Sequence, residues 1–568
     1  MSEPIRKAMI TCTPKQSTHV ILWRYSCARL KLMLILGLSK LSRDSSVALF
    51  DERTTLAALE EEKLTRLQEA GYVPRRTLAH TLEQFRLKPS DLTAVAFADL
   101  SALHGKHTAE ADAAFQQLRQ LLGGHSILRF DHHLCHAASA YYTSGFDRAL
   151  ILTLDEGSRA RSGMVSLGEE DQIKPLSNME FPNSIGWFFL RITQYLGLRP
   201  NRDEHKLQWL SKDGQPELLN AFRRVFTLNA KGIPTLNRRY FMSGPDRRGI
   251  FSSHFYRESG LPKPGIPLDP ALRSNIARSA QDVLEELVIA IGSHFRDSKE
   301  TGSLCLAGGV FLNVLLVRAL ELHSGFKNVY VQPVAGNAGT ALGAGFLARK
   351  KLSGHSGRAP LTSLALGPEP TSQEIKAVLD NCKIVYHYFS SDDQLQEEVC
   401  KHLGRGKIVA WCQGRTEFGH RALGNRSLLA SPFSEYVVEN VNQYIKHREE
   451  FHPFALSVPA ERAEEYFDCG PNCRFMASLG SLKNPAAGLE RFAFNGNAVR
   501  VHTVEKEANP GFWRLLHKFG ESSPAPILVN TSFNLFGEPL VTDPRSAVRS
   551  FYCAGVDALA LGPFLVIK

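Results

Sequence analysis

Short apolar runs separated by turn residues recur along the chain and predict β-strands that alternate with helices. LILGLS (34–39) and SSVALF (45–50) precede a charged turn and LAALEEEKLTRL (56–67), which favours a third strand or a helix start. The same order returns at ALILTLDEGS (149–158) and GMVSLGEED (163–171). Two such units, each opening an α/β segment, indicate an internal duplication.

Glycine turns follow the strands of the second unit. Apolar residues at helical spacing predict a helix over 276–295, which leads into SLCLAGGVFLN (303–313). A second glycine turn, PVAGNAGTALGAG (333–345), precedes another helix. Duplicated α/β halves with glycine turns at strand ends favour a two-lobed architecture with a nucleotide cleft, as in actin and the sugar kinases.

A boundary separates this region from a second α/β domain. Residues 350–372 are rich in Gly, Pro and Ser and carry no period, so we predict a domain boundary there. Helices are predicted at 374–382 and 394–406, and strands at KIVYHYF (383–389) and KIVAWCQG (407–414). Two further buried-type strands are predicted within PAPILVNTSFN and DALALGPFLVIK.

Composition excludes several classes of protein. The chain has 568 residues, of which 43% are hydrophobic and 22% charged, so disordered, collagen-like and coiled-coil classes do not describe it. Its longest apolar runs fall far short of a membrane span. Ten cysteines without paired spacing favour reduced thiols in a cytoplasm. The pair in CGPNC is only weak evidence for zinc.

The net charge of +10 could attract nucleic acid, anionic lipid or phosphorylated substrates. Residues 1–32 hold six Lys/Arg against only Glu3. We interpret them as a basic extension before a fold that starts at Met33, with a transit peptide as the alternative.

A metal site is indicated near the middle of the first region. His132 and His136 are four residues apart, which puts both imidazoles on one face of a helix. Asp155 ends the next strand and could complete a two-His, one-carboxylate site suited to iron(II) or zinc. The alternative is that the two histidines only line the helix.

The second domain carries a dense set of basic residues. GRTEFGHRALGNRSLL (414–429) and NQYIKHREEFHPFALS (442–457) contain Arg415, Arg421, Arg426, Lys446 and Arg448. Guanidinium groups bind phosphate oxygens bidentately, and a lysine adds a point charge. Further along lie Arg500 and a loop with Asn530, Ser532 and Asn534, which suit an amide ligand. A solvated basic face is the alternative.

Several long motifs in order resemble those of the O-carbamoyltransferase family of nodulation and antibiotic biosynthesis. The resemblance runs from about residue 33 to the C-terminus. The motifs are EEEKLTR, HHLCHAASAYY, LTLDEG, AGGVFLN, GRTEFGHRALGNRS and NTSFN-x-x-GEPLV. The resemblance implies an actin-like (ASKHA) duplicated α/β domain over 33–355, similar to the tRNA threonylcarbamoyl transferase. It also implies a YrdC-like α/β domain over 370–568.

The resemblance also implies a two-step reaction. Carbamoyl phosphate and ATP give carbamoyl-adenylate in the C-terminal domain, and the carbamoyl group then passes to a substrate hydroxyl in the N-terminal one. The implied cofactor is iron(II) or another divalent metal. The implied residues are Arg421, Lys446 and Arg500 for phosphate and catalysis, Asn530, Ser532, Gly308, Gly309 and Asn313 for the carbamoyl group and nucleotide, and His132, His136, Asp155 and Asn337 for the metal.

The sequence departs from the family pattern mostly on the N-terminal side. The fourth metal ligand is normally an aspartate, and a neutral amide there removes one negative charge. The K-x-MGLA-x-YG segment reads HKLQWLSKDG (205–214) and keeps little beyond its lysine and glycine. The other changed positions are Arg43 in place of histidine, Gln68 in place of a basic residue, and His452 in place of arginine.

The resulting expectation is a cytoplasmic O-carbamoyltransferase for a small specialised-metabolite or sugar-like acceptor. Expected partners are that acceptor and, as an option, a second copy of the chain, with neither nucleic acid nor membrane. A threonylcarbamoyl-type transferase acting on tRNA is the rival enzyme, but we find no basic–aromatic stripe for RNA. A catalytically weakened binding protein is the rival from another class.

Overall fold

The computed structural model describes residues 33–39, 44–68, 73–99, 109–157, 161–241, 251–483 and 488–568. The basic extension 1–32 and Arg43 lie outside these ranges, so the interpretations placed on them stay predictions.

The first sheet has five strands in the order β3-β2-β1-β4-β5. Strands β1 and β2 are antiparallel, whereas β1 pairs with β4, and β4 with β5, in parallel. The strands are β1 (Ile35–Leu38), β2 (Ser46–Phe50), β3 (Thr55–Glu60), β4 (Ala94–Asp99) and β5 (Ile127–Asp131). The LAALEEEKLTRL segment thus forms a strand and then a short helix.

The second sheet repeats this arrangement. Its order, β12-β11-β6-β7-β8, again places an antiparallel three-stranded meander beside two parallel strands. The strands are β6 (Arg148–Leu154), β7 (Arg161–Glu169), β8 (Gln172–Glu180), β11 (Ser303–Ala307) and β12 (Asn328–Val331), with a separate ribbon of β9 (Phe226–Leu228) and β10 (Pro234–Leu236). The predicted duplication and the actin-like α/β class are therefore confirmed.

Helices connect and cover these two sheets. They are α1 (Glu61–Thr65), α2 (Arg75–Gln84), α3 (Ala109–Leu121), α4 (His132–Ser144), α5 (Ile185–Tyr195), α6 (Glu204–Leu210), α7 (Leu219–Arg223), α8 (Ser253–Ser259), α9 (Pro270–Lys299), α10 (Val314–His323) and α11 (Thr340–Ser353). Helices α4 and α11 cross so closely that a Cβ at Gly343 would lie 1.8 Å from the Cys135 carbonyl oxygen. The second glycine motif therefore serves helix packing in this structure.

The C-terminal sheet is mixed and has ten strands in the order β13-β22-β21-β14-β15-β20-β16-β19-β18-β17. Apolar clusters on both faces explain why its central strands read as continuous apolar runs. The strands are β13 (His387–Tyr388), β14 (Val409–Cys412), β15 (Arg426–Ala430), β16 (Ala455–Pro459), β17 (Phe467–Asp468), β18 (Gly480–Leu482), β19 (Ala498–Val504), β20 (Leu528–Ser532), β21 (Ala558–Leu561) and β22 (Phe564–Ile567). The sheet agrees with the α/β class expected for this region.

Within the described part of this domain, six α-helices accompany the sheet. They are α12 (Ser372–Asn381), α13 (Asp392–Gly404), α14 (Val437–Glu439), α15 (Ala463–Tyr466), α16 (Pro510–Gly520) and α17 (Pro544–Tyr552), and a π-helical segment, Asn440–Lys446, follows α14. No named strand within the described residues pairs across 350–372. We keep the domain division there as a proposal.

The strand predicted over 383–389 is shorter than expected, since only His387–Tyr388 pairs in the sheet. The preceding residues close the C-terminus of α12 instead. Lys383 adopts a left-handed φ of 53°, and the N–H of Ile384 donates to the Leu379 carbonyl. This closure satisfies helix carbonyls that a strand would leave unpaired.

The EEEKLTR segment joins the two parts of the chain. Lys63, at 1% exposure, donates from Nζ to the Gly419 carbonyl at 2.7 Å and pairs with Glu60 Oε2 at 2.8 Å. Glu60 Oε1 accepts the Gly419 N–H at 2.6 Å. Arg66 donates to the Pro539 carbonyl at 2.7 Å. We call this set of contacts the interdomain clasp.

Among the helices of the described residues, none is both long enough and apolar enough to cross a bilayer.

Candidate functional site

A buried cluster of two histidines and one aspartate forms where α4 begins and β6 ends. Asp131 caps α4 by accepting the Leu134 N–H, which sets His132 and His136 on one inward face. Asp155 Oδ2 lies 2.8 Å from His132 Nε2 and 3.2 Å from His136 Nε2, and the two Nε2 atoms are 3.2 Å apart. Within the described ranges, this is the one group of three or more His, Cys, Asp or Glu side chains placed to hold a metal.

The protonation states of this cluster suit a metal. Burial and the neighbouring His136 lower the pKa of His132 to about 3, which keeps its imidazole neutral. Burial alone would raise the pKa of Asp155, but interactions with His136 and His132 hold that pKa well below its usual value. A neutral imidazole and an ionised carboxylate are the forms that ligate a divalent ion. The donor set therefore fits such an ion.

The AGGVFLN turn orients the aspartate. Gly309 donates its N–H to Asp155 Oδ1 at 2.5 Å, so the carboxylate is held from behind while Oδ2 faces the histidines. Gly308 has a φ of 103°, and a Cβ there would lie 2.1 Å from the Leu154 carbonyl oxygen. This part of the turn requires glycine, and the nucleotide role of both glycines stays a prediction.

Asn313 and Asn337 have structural partners. Asn313 caps α10 by accepting the Leu316 N–H, and its Nδ2 donates to Gln281 Oε1 at 2.7 Å. Asn337 donates from Nδ2 to Asp44 Oδ2 at 3.4 Å. Binding of nucleotide by Asn313 and of metal by Asn337 therefore stays predicted.

A second group of polar side chains lies across three neighbouring strands of the C-terminal sheet. Asn530 on β20 is in register with Ala455 on β16, which is in register with Arg500 on β19. Residues in one row share a face, and two strand spacings put them about 10 Å apart. Ser532, two residues after Asn530, points to the same side. We call Arg500, Asn530, Ser532 and Lys446 the basic pocket.

Polar atoms of the basic pocket are buried without partners. Arg500 Nε and Nη2 and Asn530 Oδ1 make no hydrogen bond within the part of the chain that the structure describes. Burial lowers the pKa of Arg500 to about 10. Buried polar atoms are normally paired, so an unpaired guanidinium edge and an unpaired carboxamide oxygen on one face of the sheet indicate a ligand with both acceptors and donors.

Lys446 extends into the basic pocket from the π-helical segment. Its Nζ donates to the Ser532 carbonyl and, at 2.7 Å, to Asn534 Oδ1. Burial, and then the neighbouring charge of Arg448, lower its pKa well below the usual value. Among the described residues, no carboxylate forms an ion pair with Lys446. An anionic ligand would therefore stabilise the charged form of Lys446.

Two arginines of 414–429 donate to backbone carbonyls. Arg415 donates from Nη2 to the Leu56 carbonyl at 2.9 Å and the Leu366 carbonyl at 2.6 Å. Arg426 donates from Nη1 to the Gln413 and Asn425 carbonyls, both at 3.0 Å. Both side chains satisfy backbone carbonyls rather than an anion site.

Arg421 lies beside the basic pocket. It is half-buried, and the carbonyl of the next residue, Ala422, accepts from Asn530 Nδ2 at 3.2 Å. The structure thus places Arg421 next to the carbamoyl residues that the sequence predicts, and its role in phosphate binding stays a prediction.

Helix α6 lies between the metal cluster and the basic pocket. Burial and the charge of Glu156, the residue after Asp155, raise the pKa of Glu204 to about 7 at the start of this helix. The indole of Trp209, near its end, lies 5.7 Å from the Arg500 guanidinium. The five-residue step from Glu204 to Trp209 corresponds to about 7.5 Å along the helix axis. Helix α6 therefore links the surroundings of Glu156 with Arg500 of the second domain.

His420 has charged neighbours from both domains. Part of the residue is exposed, while the surrounding protein and then the charges of Arg500, Lys63 and His205 lower its pKa to about 4. Lys63 and His205 belong to the first domain, and Arg500 and His420 to the second.

The positions that depart from the family pattern take local partners. Gln68 accepts a hydrogen bond from Arg202 Nη2. His452 is buried, and its ring lies 5.7 Å from that of His205. Lys206 pairs with Glu449 Oε1 at 2.8 Å. The last two contacts place the changed His452 and the retained Lys206 at the domain contact.

Sequence reasoning missed Trp209 and Glu204. The departure of HKLQWLSKDG from the family pattern is the signal that could have marked Trp209. No comparable pattern marks Glu204, because the charge of Glu156 reaches it from a distant part of the chain.

Two protein-family models match most of the two domains. The model for the carbamoyltransferase N-terminus matches residues 106–346, and the model for the carbamoyltransferase C-terminus matches residues 400–568. These ranges contain every residue of the metal cluster and of the basic pocket.

Individual relatives agree with the family models. Nodulation protein NolNO of Sinorhizobium fredii is 31% identical over 92% of this chain and 79% of its own length. An uncharacterized protein of Synechocystis is 30% identical over 94% of this chain and 96% of its own length. The 3'-hydroxymethylcephem-O-carbamoyltransferase of Amycolatopsis lactamdurans is 28% identical over 47% of this chain and 49% of its own length. From the two family models and these relatives, the chain belongs to the carbamoyltransferase family of enzymes.

Proposed function

We propose that the protein is an O-carbamoyltransferase that makes carbamoyl-adenylate in the basic pocket and transfers the carbamoyl group at the metal cluster. Carbamoyl phosphate loses its phosphate to water, and the carbamate oxygen attacks the α-phosphorus of ATP and displaces pyrophosphate. An acceptor hydroxyl then attacks the carbamoyl carbon, and AMP leaves.

The observation that carries the first step is the set of unpaired polar atoms in the basic pocket. Arg500 offers two unpaired donor nitrogens, Nε and Nη2, and Asn530 offers an unpaired carbonyl oxygen on the same face of the sheet. A phosphate accepts from a guanidinium, and a carbamoyl NH2 donates to an amide oxygen. Carbamoyl phosphate carries both groups in one small molecule.

The residues around this row would hold and neutralise the phosphates. Lys446 brings a buried amine within reach of Ser532 and Asn534, and Arg421 follows on the adjacent loop. Their charges oppose the negative charge of carbamoyl phosphate and of the α-phosphate under attack. Fixed donors of this kind bind the charge without reorganising during the reaction.

The second step would use the first domain. His132, His136 and Asp155 would hold a divalent ion, which we propose to be iron(II), and that ion would supply Lewis-acid stabilisation of nucleotide phosphate charge. Carbamoyl-adenylate hydrolyses readily, so passage along α6, which contacts Arg500 through Trp209, would protect it from water.

We propose a small-molecule acceptor, such as a sugar-like or specialised metabolite, in a cytoplasmic enzyme without nucleic-acid or membrane partners. The cephem O-carbamoyltransferase among the relatives supports a hydroxyl acceptor of this size. Homodimer formation remains a prediction.

The test is ATP–pyrophosphate exchange by the full chain with and without carbamoyl phosphate. Wild type should exchange only with carbamoyl phosphate present. Arg421→Ala and Arg500→Ala should each lose about a hundredfold, the effect expected for a desolvated charge-assisted contact worth about 3 kcal/mol. The matched control is Arg462→Ala, which removes an exposed arginine of the same domain that pairs with Glu465.

Four results would contradict the proposal. Exchange that does not depend on carbamoyl phosphate would remove the assigned substrate, and exchange undiminished in Arg421→Ala would remove that residue from the site. Binding of carbamoyl phosphate and ATP without exchange would favour the binding-protein alternative. Dependence on threonine and bicarbonate instead of carbamoyl phosphate would favour a threonylcarbamoyl enzyme.

A further inference from the structure

Helix α6 of the first domain lies over the basic pocket of the second. Lys206 pairs with Glu449 at 2.8 Å, and the His205 ring lies 5.7 Å from that of His452. Both partners belong to the segment that follows Lys446. Three side chains of one short helix therefore contact the second domain. His205 and Lys206 meet the segment after Lys446, and Trp209 meets Arg500 of the basic pocket.

Trp209 makes the contact that bears on binding. It is 3% exposed, and its indole ring centroid lies 5.7 Å from the Arg500 guanidinium carbon. Cation–π attraction of this kind is strongest when both groups are removed from water, as they are here. Arg500 Nε and Nη2 remain unpaired among the described residues.

An apolar cluster that spans both domains surrounds the indole. Trp209 packs with Val314 of the first domain and with Leu479 and Phe494 of the second. The Phe494 ring meets the indole edge to face at 5.6 Å. The position of the indole therefore depends on the domain contact.

Resting on the function proposed above, we propose that Trp209 is a positioning residue: its indole holds the Arg500 guanidinium so that the N–H groups of Arg500 receive the anion of the substrate. Binding in the C-terminal pocket then depends on a residue of the N-terminal domain. The first half-reaction is thereby coupled to the presence of the domain that receives the carbamoyl group.

The geometry of a guanidinium explains this role. Its N–H bonds lie in its plane, so contact with an aromatic ring through the guanidinium face leaves those bonds free for a phosphate. A long arginine side chain without that contact samples several rotamers and loses entropy when it binds. Trp209 would remove that cost before the anion arrives.

Simple packing is the competing explanation, and Phe494 supplies the matched control. Phe494→Leu disturbs the same apolar cluster, whereas the cation–π contact of Arg500 is with Trp209. Trp209→Leu removes the aromatic ring, and Trp209→Phe restores one.

The experiment measures two quantities on the full chain. Isothermal titration gives the dissociation constant of pyrophosphate, used as the anion probe, and ATP–pyrophosphate exchange gives KM and kcat for carbamoyl phosphate. Trp209→Leu should weaken pyrophosphate binding and raise KM by about tenfold, as expected for loss of a desolvated cation–π contact. Trp209→Phe and Phe494→Leu should both stay within about threefold of wild type. If Trp209→Leu does not fold, Trp209→Met takes its place.

A double-mutant cycle separates positioning from packing. In an Arg500→Ala background, Trp209→Leu should weaken pyrophosphate binding no further, because nothing is left to position. The inference is overturned by equal losses in Trp209→Leu and Phe494→Leu, by no loss in Trp209→Leu, or by a loss that persists without Arg500.

The same data distinguish this inference from the proposed function. Trp209-dependent binding of pyrophosphate with no exchange in wild type would contradict the function and support the positioning role. Carbamoyl phosphate-dependent exchange that Trp209→Leu leaves unchanged would support the function and contradict the positioning role.

Discussion

Replacing Lys63 with methionine should destabilise the protein strongly, because Lys63 is the buried cation of the interdomain clasp. Methionine keeps most of the side-chain volume but removes the charge and all three N–H donors. Glu60, 6% exposed, would lose its ion-pair partner, and the carbonyl of Gly419 would lose its donor.

The size of the effect follows from that burial. Removing one partner of a buried ion pair costs about 3–5 kcal/mol, since the other charge is left uncompensated. In a domain of this size, 1 kcal/mol lowers Tm by about 2–4 °C, so Lys63→Met should lower Tm by about 10 °C. Adding Glu60→Gln should restore part of the loss, because no unpaired charge then remains in the contact.

Differential scanning calorimetry of the full chain measures this effect. Lys376→Met is the matched control, since Lys376 pairs with Asp380 at 2.5 Å but is 56% exposed. An exposed pair of this kind contributes little to stability, so the control should shift Tm by no more than about 2 °C. Equal shifts for Lys63→Met and Lys376→Met, or no recovery on adding Glu60→Gln, would refute the reasoning.

Three further predictions follow from the first domain. Asn337→Asp should bind iron(II) more tightly, because it adds an ionised oxygen ligand, but it should be less stable without metal, because it places a second carboxylate beside Asp44. Metal content and Tm, each measured before and after chelation, test the two effects. An unchanged metal content would contradict the site. Burial raises the pKa of Glu204 from 4.5 to about 7, so its contribution to stability is complete below pH 4.5 and is lost as pH rises through 7. The Tm of Glu204→Gln minus that of wild type should therefore rise between pH 5 and pH 8, and a flat difference would contradict the assigned environment. Gly308→Ala should displace the turn that holds Asp155, because its Cβ would lie 2.1 Å from a carbonyl oxygen. Elemental analysis should then show a reduced metal content. The control Gly302→Ala, whose Cβ meets nothing closer than 3.9 Å, should keep its metal.

Local patterns were sufficient to predict the metal cluster. The four-residue spacing of His132 and His136 and the position of Asp155 at a strand end both depend on nearby sequence, and the structure brings their ligand atoms together. The duplicated meander is also encoded locally, since hairpin strands are neighbours in the chain. The metal-ligand role of Asn337 depends on a distant turn and remains untested.

The basic pocket could not be assembled from the sequence alone. Its row joins β16, β19 and β20, and nothing in a single sequence specifies that a residue at 455 separates those at 500 and 530. The resemblance to the family supplied the residues, and the sheet register supplied their common face.

Density of basic residues also proved ambiguous. Arg415 and Arg426 donate their N–H groups to backbone carbonyls, whereas Arg500 leaves nitrogens of the same kind unpaired for a ligand. Residue type cannot distinguish the two uses, because both partners are oxygen acceptors. The burial and pairing of each nitrogen decide which arginines remain available.

The central claim is that this chain forms carbamoyl-adenylate, and mass spectrometry of a quenched reaction tests it most directly. The full chain is incubated with ATP and isotope-labelled carbamoyl phosphate, without acceptor, beside an Arg500→Ala sample. The account predicts an adenylate that carries the labelled carbamoyl group, formed by wild type and strongly reduced in Arg500→Ala. Wild type that consumes no ATP, or that forms AMP without any labelled adenylate while Arg500→Ala behaves identically, would contradict it.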